Sequence, residues 1–282
     1  MGKAVLVEEP SLLRLFWNLS MDVKHRALIR RELLKIQTEE QKLRKKAETA
    51  KPANWKKALE EKIPEKVYTG LEAAFCTGFT LVFRHGRKLI ELTYRKEGLK
   101  QEHILRDQAV QMEASHRDFK QMQSNVRKTV TKNMAVTTAE GVALGALGVG
   151  MPDVVLFLST LLKGVYETAL HYGFGYETPE EQYLILRMLS ASLKTGRTWL
   201  WEDEKVDALL REDAVAVTPE VLTEQIRKTA SAFALDMLVL KFLQGMPVVG
   251  ILGGAANPLY YRKVMEYVQR KYRKRYLLKQ LK

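Results

Sequence analysis

Cysteine occurs once in the 282 residues, at Cys76, which excludes an intramolecular disulfide and fits a reducing compartment. A lone thiol of this kind reads as a small buried hydrophobe, because reactive thiols need electropositive surroundings. No stretch alternates apolar and polar residues between hairpin turns, so a half-buried antiparallel sheet is excluded. The five histidines, His25, His85, His103, His116 and His171, share none of the close helical spacings of a zinc site. A GxSxG nucleophile elbow is absent. The glycine-rich "GALGVGMPD" lacks the Lys-Ser/Thr of a phosphate loop, and Asp153 beside it would repel a phosphate. No metal, no cofactor and no catalytic residue is therefore assigned. The first residues, "MGKAVLVEEPSLLRLF", lack the apolar run of a signal peptide, and a cytoplasmic protein is expected.

Positive charge is abundant and unevenly spread. Lys and Arg number 46 against 33 Asp and Glu, a net charge of +13, which predicts attraction to phospholipid headgroups or nucleic acid phosphates. From Tyr176 to Glu224 there are 11 acidic and 5 basic residues, whereas Asn257 to Lys282 holds 9 basic residues and one Glu. In that last segment Tyr261, Val264, Val268, Tyr272 and Tyr276 recur every three or four residues and make one helical face. Arg262, Lys263, Arg270, Lys271, Arg273, Lys274 and Arg275 are the candidate anionic-surface residues. A solvated basic face, or one paired with the chain's own acidic zone, is the alternative.

Helical periodicity runs through the rest. Leu28, Ile29, Leu33, Leu34, Ile36 and Leu43 predict a long amphipathic helix from Met21 to about Ala50, ended by Lys51 and Pro52. Further helices are expected from Trp55 towards Ile63, from Pro64 through "EKVYTGLEAAFCTGFTLVF", and as one or two surface helices over Arg95 to Lys132. "ETPEEQYLILRML" has a capping Thr178, Pro179 in the first turn and Glu181 where a capping box requires it. "VTPEVLTEQI" repeats the device at Thr218.

Two glycine-rich segments punctuate this pattern, "GVALGALGVGMPDVVLFLSTLL" from Gly141 and "LKFLQGMPVVGILGGAANP" from Leu240. The first divides at Pro152, since glycine costs a helix about 1 kcal/mol relative to alanine, while Pro152 and Asp153 suit a helix start. From there about 20 helical residues run to the stop at Tyr172 and Gly173. Gly150, Gly250, Gly254 and Asn257 complete the set read as structural or pocket-forming. Close-packed buried hairpins of a bundle are the reading adopted; insertion into a bilayer and true spanning stay open.

"WKKALEEKIPEKVYTGLEAAF", "MPDVVLFLSTLLKGVYETALHYGFGYETPEEQYLILRML" and "FLQGMPVVGILGGAANPLYYRKVMEYVQRKYRKRYL" together resemble the EcsC family, over roughly Trp55 to the end. The resemblance implies a helical, membrane-related protein, since the family takes its name from a protein encoded beside an ABC transporter. It carries no accepted catalytic residues onto this chain. The acidic stretch Thr198 to Asp213 departs from the pattern and is expected to be an inserted loop.

The expectation is an all-α helical bundle with two glycine-rich buried hairpins, an amphipathic N-terminal arm over 1–54 and an EcsC-like domain over 55–282. Its expected role is non-enzymatic. It would associate peripherally with the inner face of a membrane, accessory to an ABC transporter or secretion complex, with a lipid as its ligand. Nucleic-acid binding through the basic C-terminal helix is the first alternative, and an enzyme with an unrecognised site the second. Oligomeric state is not readable.

Overall fold

A computed structural model describes residues 12–50, 63–83, 87–113, 115–144, 151–211, 216–243 and 256–282, with backbone alone at 12–22, 87, 89, 112–113, 134–144, 151–153, 240–243, 256–257 and 259. The expected helix from Trp55 and the glycine-rich connections at 145–150 and 244–255 lie outside the described residues. The rest is helical: α1 (Leu12–Thr49), α2 (Glu65–Leu81), α3 (Arg87–Glu91), α4 (Lys96–Glu113), α5 (His116–Leu144), α6 (Met151–His171), α7 (Pro179–Leu193), α8 (Gly196–Arg211), α9 (Pro219–Leu243) and α10 (Ala256–Lys279). No strand occurs among the described residues, as the missing alternation requires.

Several helix ends follow from local chemistry. Thr178 Oγ1 accepts from the Glu181 amide at 3.3 Å, with Pro179 in the first turn of α7. The reciprocal half of the capping box is not made, because the Glu181 carboxylate turns to Arg275. Thr218 caps α9 the same way, accepting from the Val221 amide. Gly173, at φ 75°, ends α6: its amide donates to Leu170 O at 3.0 Å and the Phe174 amide to Ala169 O at 2.9 Å. These are the paired bonds of a left-handed C-cap, where a side chain would be strained.

Helices α6 and α10 form the centre. Helix α6 packs against α2, α3, α4, α5 and α10, while α10 packs against α1, α5, α6, α7 and α8. Gly164 permits the α6–α10 approach, since a Cβ there would stand 2.2 Å from Tyr261 Oη. Phe75, Phe79, Phe157, Phe233 and Tyr260 make an aromatic cluster with ring centroids 5.4–6.4 Å apart. Helix α1 joins the same core through Ile29, Leu33 and Ile36, all buried.

The segment from Gly141 is described at 141–144 and again from 151. Helix α5 ends at Leu144 and α6 begins at Met151. Thr129 meets His171 while Asn133 meets Glu167, so the two helices run antiparallel and no single rod crosses the stretch. By length and composition Val154–His171 could span a bilayer, yet 72% of that window is buried inside the bundle.

Candidate anion-binding groove

The basic C-terminal segment is the first place to look, and its charges are mostly turned inward. Helix α10 is enclosed on nearly every side, so its lysines and arginines meet acidic side chains of neighbouring helices. Lys271 is wholly buried, with Nζ 2.7 Å from Asp203, 2.6 Å from Asp207 and 2.9 Å from Glu40. Lys274, also buried, reaches Glu40 at 2.6 Å and Asp207 at 2.7 Å. Arg44 adds contacts of 3.1 and 3.5 Å to the two aspartates, and Tyr267 donates to Asp203 at 2.9 Å. Three carboxylates thus face three cations, and the hydrogen bonds satisfy a cluster that would otherwise be costly to bury. Burial pushes the Asp207 carboxyl upward, but Lys271 and Lys274 outweigh it and hold the group below the usual range. Glu40, Asp203 and Asp207 are close enough to hold a metal ion. The two ammonium groups already occupy that role.

Two expectations are corrected by this cluster. Lys271 and Lys274 are not surface residues and cannot reach a bilayer. The acidic stretch Thr198 to Asp213 is not an inserted loop: through Arg211 it is helix α8, which supplies Asp203 and Asp207 to the centre of the fold.

The remaining tail residues divide. Arg275 forks onto Glu181 at 2.5 and 2.8 Å with Phe174 beneath it, 4.2 Å from the ring centroid. Lys263 pairs with Asp236 at 3.4 Å. Arg273 bonds Glu32 at 2.7 Å, and Lys35 and His116 converge on the same carboxylate. Arg262, exposed, stands 3.7 Å from Glu266. Arg270 is half-buried, lies 5.7 Å over the Tyr267 ring, and keeps its Nε buried without a hydrogen-bond partner among the described residues.

Arg262, Arg270 and Arg273 open onto a groove between α1, α5 and α10. Its outer part, about 870 Å³, is lined by Lys35, Lys120, Arg127, Lys128 and Lys132 among others, with Glu32 and Glu39 as its acids. The inner part, about 440 Å³, continues from it over Val130 and Tyr172 to the three arginines. Lys120, Arg127, Lys128 and Lys132 are exposed and form no ion pair among the described residues, although Lys132 acts at longer range on buried Glu167. The fields of such cations add and project into solvent.

These α5 cations were overlooked in the sequence, although a signal was present. Phe119, Met122, Val126 and Val130 form the buried face of α5, and Lys120, Arg127, Lys128 and Lys132 fall elsewhere on the wheel. No acid interrupts the chain from Phe119 to Ala139. Of the residues read as structural or pocket-forming, Tyr172 is buried at the groove and Gly173 caps α6 facing His103. Gly150, Gly250 and Gly254 lie outside the described residues; Pro152, Asp153 and Asn257 are helical in backbone, their side chains undescribed.

A family model described as the EcsC protein family matches residues 27–277. The chain belongs to the EcsC family. The matched region of this EcsC chain takes in α1 from residue 27 and the whole of α8. No curated protein and no solved structure matches it.

Proposed function

We propose that this EcsC protein is a non-enzymatic, cytoplasmic helical protein that binds an acidic phospholipid surface through the groove between α1, α5 and α10. The carrying observation is the row of exposed cations on α5, which form no ion pair among the described residues. The namesake's position beside an ABC transporter supports a role as accessory to a transporter or secretion complex at the inner face of the membrane. Each basic side chain near acidic lipid contributes about 1 kcal/mol, so Lys120, Arg127, Lys128 and Lys132 together supply a useful affinity. Adhesion of this kind weakens as salt rises, because the Debye length shortens to about 8 Å at physiological ionic strength.

Flotation with phosphatidylcholine vesicles, with and without phosphatidylglycerol, tests the proposal. Binding is expected only with the anionic lipid. The exposed pair K120E/K128E should weaken it at least about 30-fold, from roughly 1 kcal/mol per lost cation, without altering the melting temperature. Indifference to anionic lipid would overturn the reading. Salt-dependent retention of duplex DNA by protein that ignores vesicles would transfer the groove to nucleic acid.

A further inference from the structure

The two parts of the groove differ in chemistry. Flexible lysines dominate the outer part, each a hydrated point charge. The inner part gathers Arg127, Arg262, Arg270 and Arg273 against only Glu39 and Glu266, above a floor that includes buried Val130 and Tyr172. A lysine-rich rim attracts any anion, whereas convergent guanidinium forks match the oxygens of a single phosphate.

We infer that the inner part of the groove is a discrete site for the terminal phosphate of a phosphomonoester lipid headgroup. The inference rests on the membrane reading above and specifies its ligand. Two features of the arginines carry it. Arg270 lines this part of the groove from a half-buried position and forms no ion pair among the described residues, so its guanidinium charge is left for a ligand. Arg273 is held from one side: Glu32 takes Nη2 at 2.7 Å, and the Gln123 amide oxygen, in the orientation its neighbours favour, takes Nε at 3.1 Å. Its Nη1 has no partner among the described residues and is left to donate elsewhere. A monoester carries about −1.5 to −2 at pH 7 and offers three acceptor oxygens, which suits Arg127 and Arg270, the two guanidiniums of this lining that form no ion pair among the described residues. A phosphodiester carries a single charge and is flanked by substituents on both sides, so it brings less charge to these two guanidiniums and cannot enter end-on. Gln123, Thr131 and Gln269 stand on the same walls as further donors.

The test compares full-length protein on phosphatidylcholine vesicles doped with phosphatidic acid, a monoester, or phosphatidylglycerol, a diester, at matched surface charge. About tenfold tighter binding to phosphatidic acid is expected, as charge-assisted hydrogen bonds gained by one headgroup alone would give. Arg270→Gln should reduce the preference to less than about twofold while phosphatidylglycerol binding persists. Arg262→Gln, at an exposed position, should lower it in the same direction and keeps the test valid if the Arg270 variant folds poorly. Equal binding at equal charge, or a preference untouched by both substitutions, overturns the site and leaves the membrane reading standing. Protein that ignores vesicles but binds glycerol 3-phosphate saturably would support the phosphate site with a soluble source, and overturn the membrane reading. Binding to neither vesicles nor glycerol 3-phosphate overturns both.

Discussion

Lys271 shows most sharply how the same residue type serves opposite ends. Its ammonium group lies among Glu40, Asp203 and Asp207 at 0% exposure, so replacing it leaves buried carboxylates short of a counter-charge. Lys271→Met should cost about 3–5 kcal/mol, the usual result of removing one partner from a buried ion cluster. Lys279→Gln on the exposed end of the same helix should stay within about 0.5 kcal/mol; urea unfolding midpoints compare the two. From sequence the two lysines look alike, because a basic segment shows its charge but not the carboxylates 64 to 231 residues away that absorb it. The histidines give a second handle. Burial lowers the affinity of His103 and His171 for protons; Asp107, His171 O and Glu102 oppose this, while Lys279 and Arg106 reinforce it. An unfolded chain takes up protons near pH 6.5 that the folded chain refuses. Stability therefore falls as pH drops through 6.5 and levels off below the folded values. Melting temperature should decline between pH 7.5 and 5.5, and the double variant H103Q/H171Q should flatten that part of the profile.

Among the elements, helix starts and stops were the most legible, because Thr178 with Pro179, Thr218 and Gly173 act within a few residues of themselves. Helix α8 was not. Its acids suggested an exposed insertion, yet Asp203, Val206, Asp207 and Leu210 recur at helical spacing and are all buried. A mixed acidic and apolar stripe points to burial only once a basic partner helix is known. Close approach was similarly hidden. The glycine-rich segments drew notice, while Gly164, in an ordinary "LLKGVYE" context, and Gly78 are glycines that meet another helix. A methyl at Gly164 would collide with Tyr261 Oη at 2.2 Å and come within 3.1 Å of its ring carbon. Tyr261 is fully buried, so relief requires moving α10 or its tyrosine off a favourable rotamer. Gly164→Ala should destabilise by about 1–3 kcal/mol, the ordinary range for overpacking a tight core, despite alanine's better helix propensity. Equal or raised thermal stability would show that the two helices can separate freely.

For the whole molecule, the all-α class followed from periodicity alone, but which helix sits at the centre did not. An amphipathic reading of α10 gave it one apolar face, with the basic residues facing out. In the fold Tyr260, Tyr261, Val264, Tyr267, Val268, Tyr272, Tyr276 and Leu277 are buried around most of its circumference. It touches α1, α5, α6, α7 and α8. Enclosure of this kind makes the C-terminal helix a structural axis. Deleting residues 269–282 should therefore abolish cooperative unfolding rather than release an otherwise intact protein from vesicles. The deletion removes Lys271 and Lys274 from their carboxylates and takes Tyr272, Tyr276 and Leu277 out of the core. Burial of large side chains of this kind is worth roughly 1.5–3 kcal/mol each, and a domain's whole stability is only about 5–15 kcal/mol. Circular dichroism against urea, with limited proteolysis alongside, checks the expectation. A truncated chain that still melts in one sharp transition would return α10 to the role of a detachable basic tail. A chain that loses its transition, beside a K120E/K128E variant that keeps it and loses only vesicle binding, would separate the part that folds the protein from the part proposed to meet a membrane.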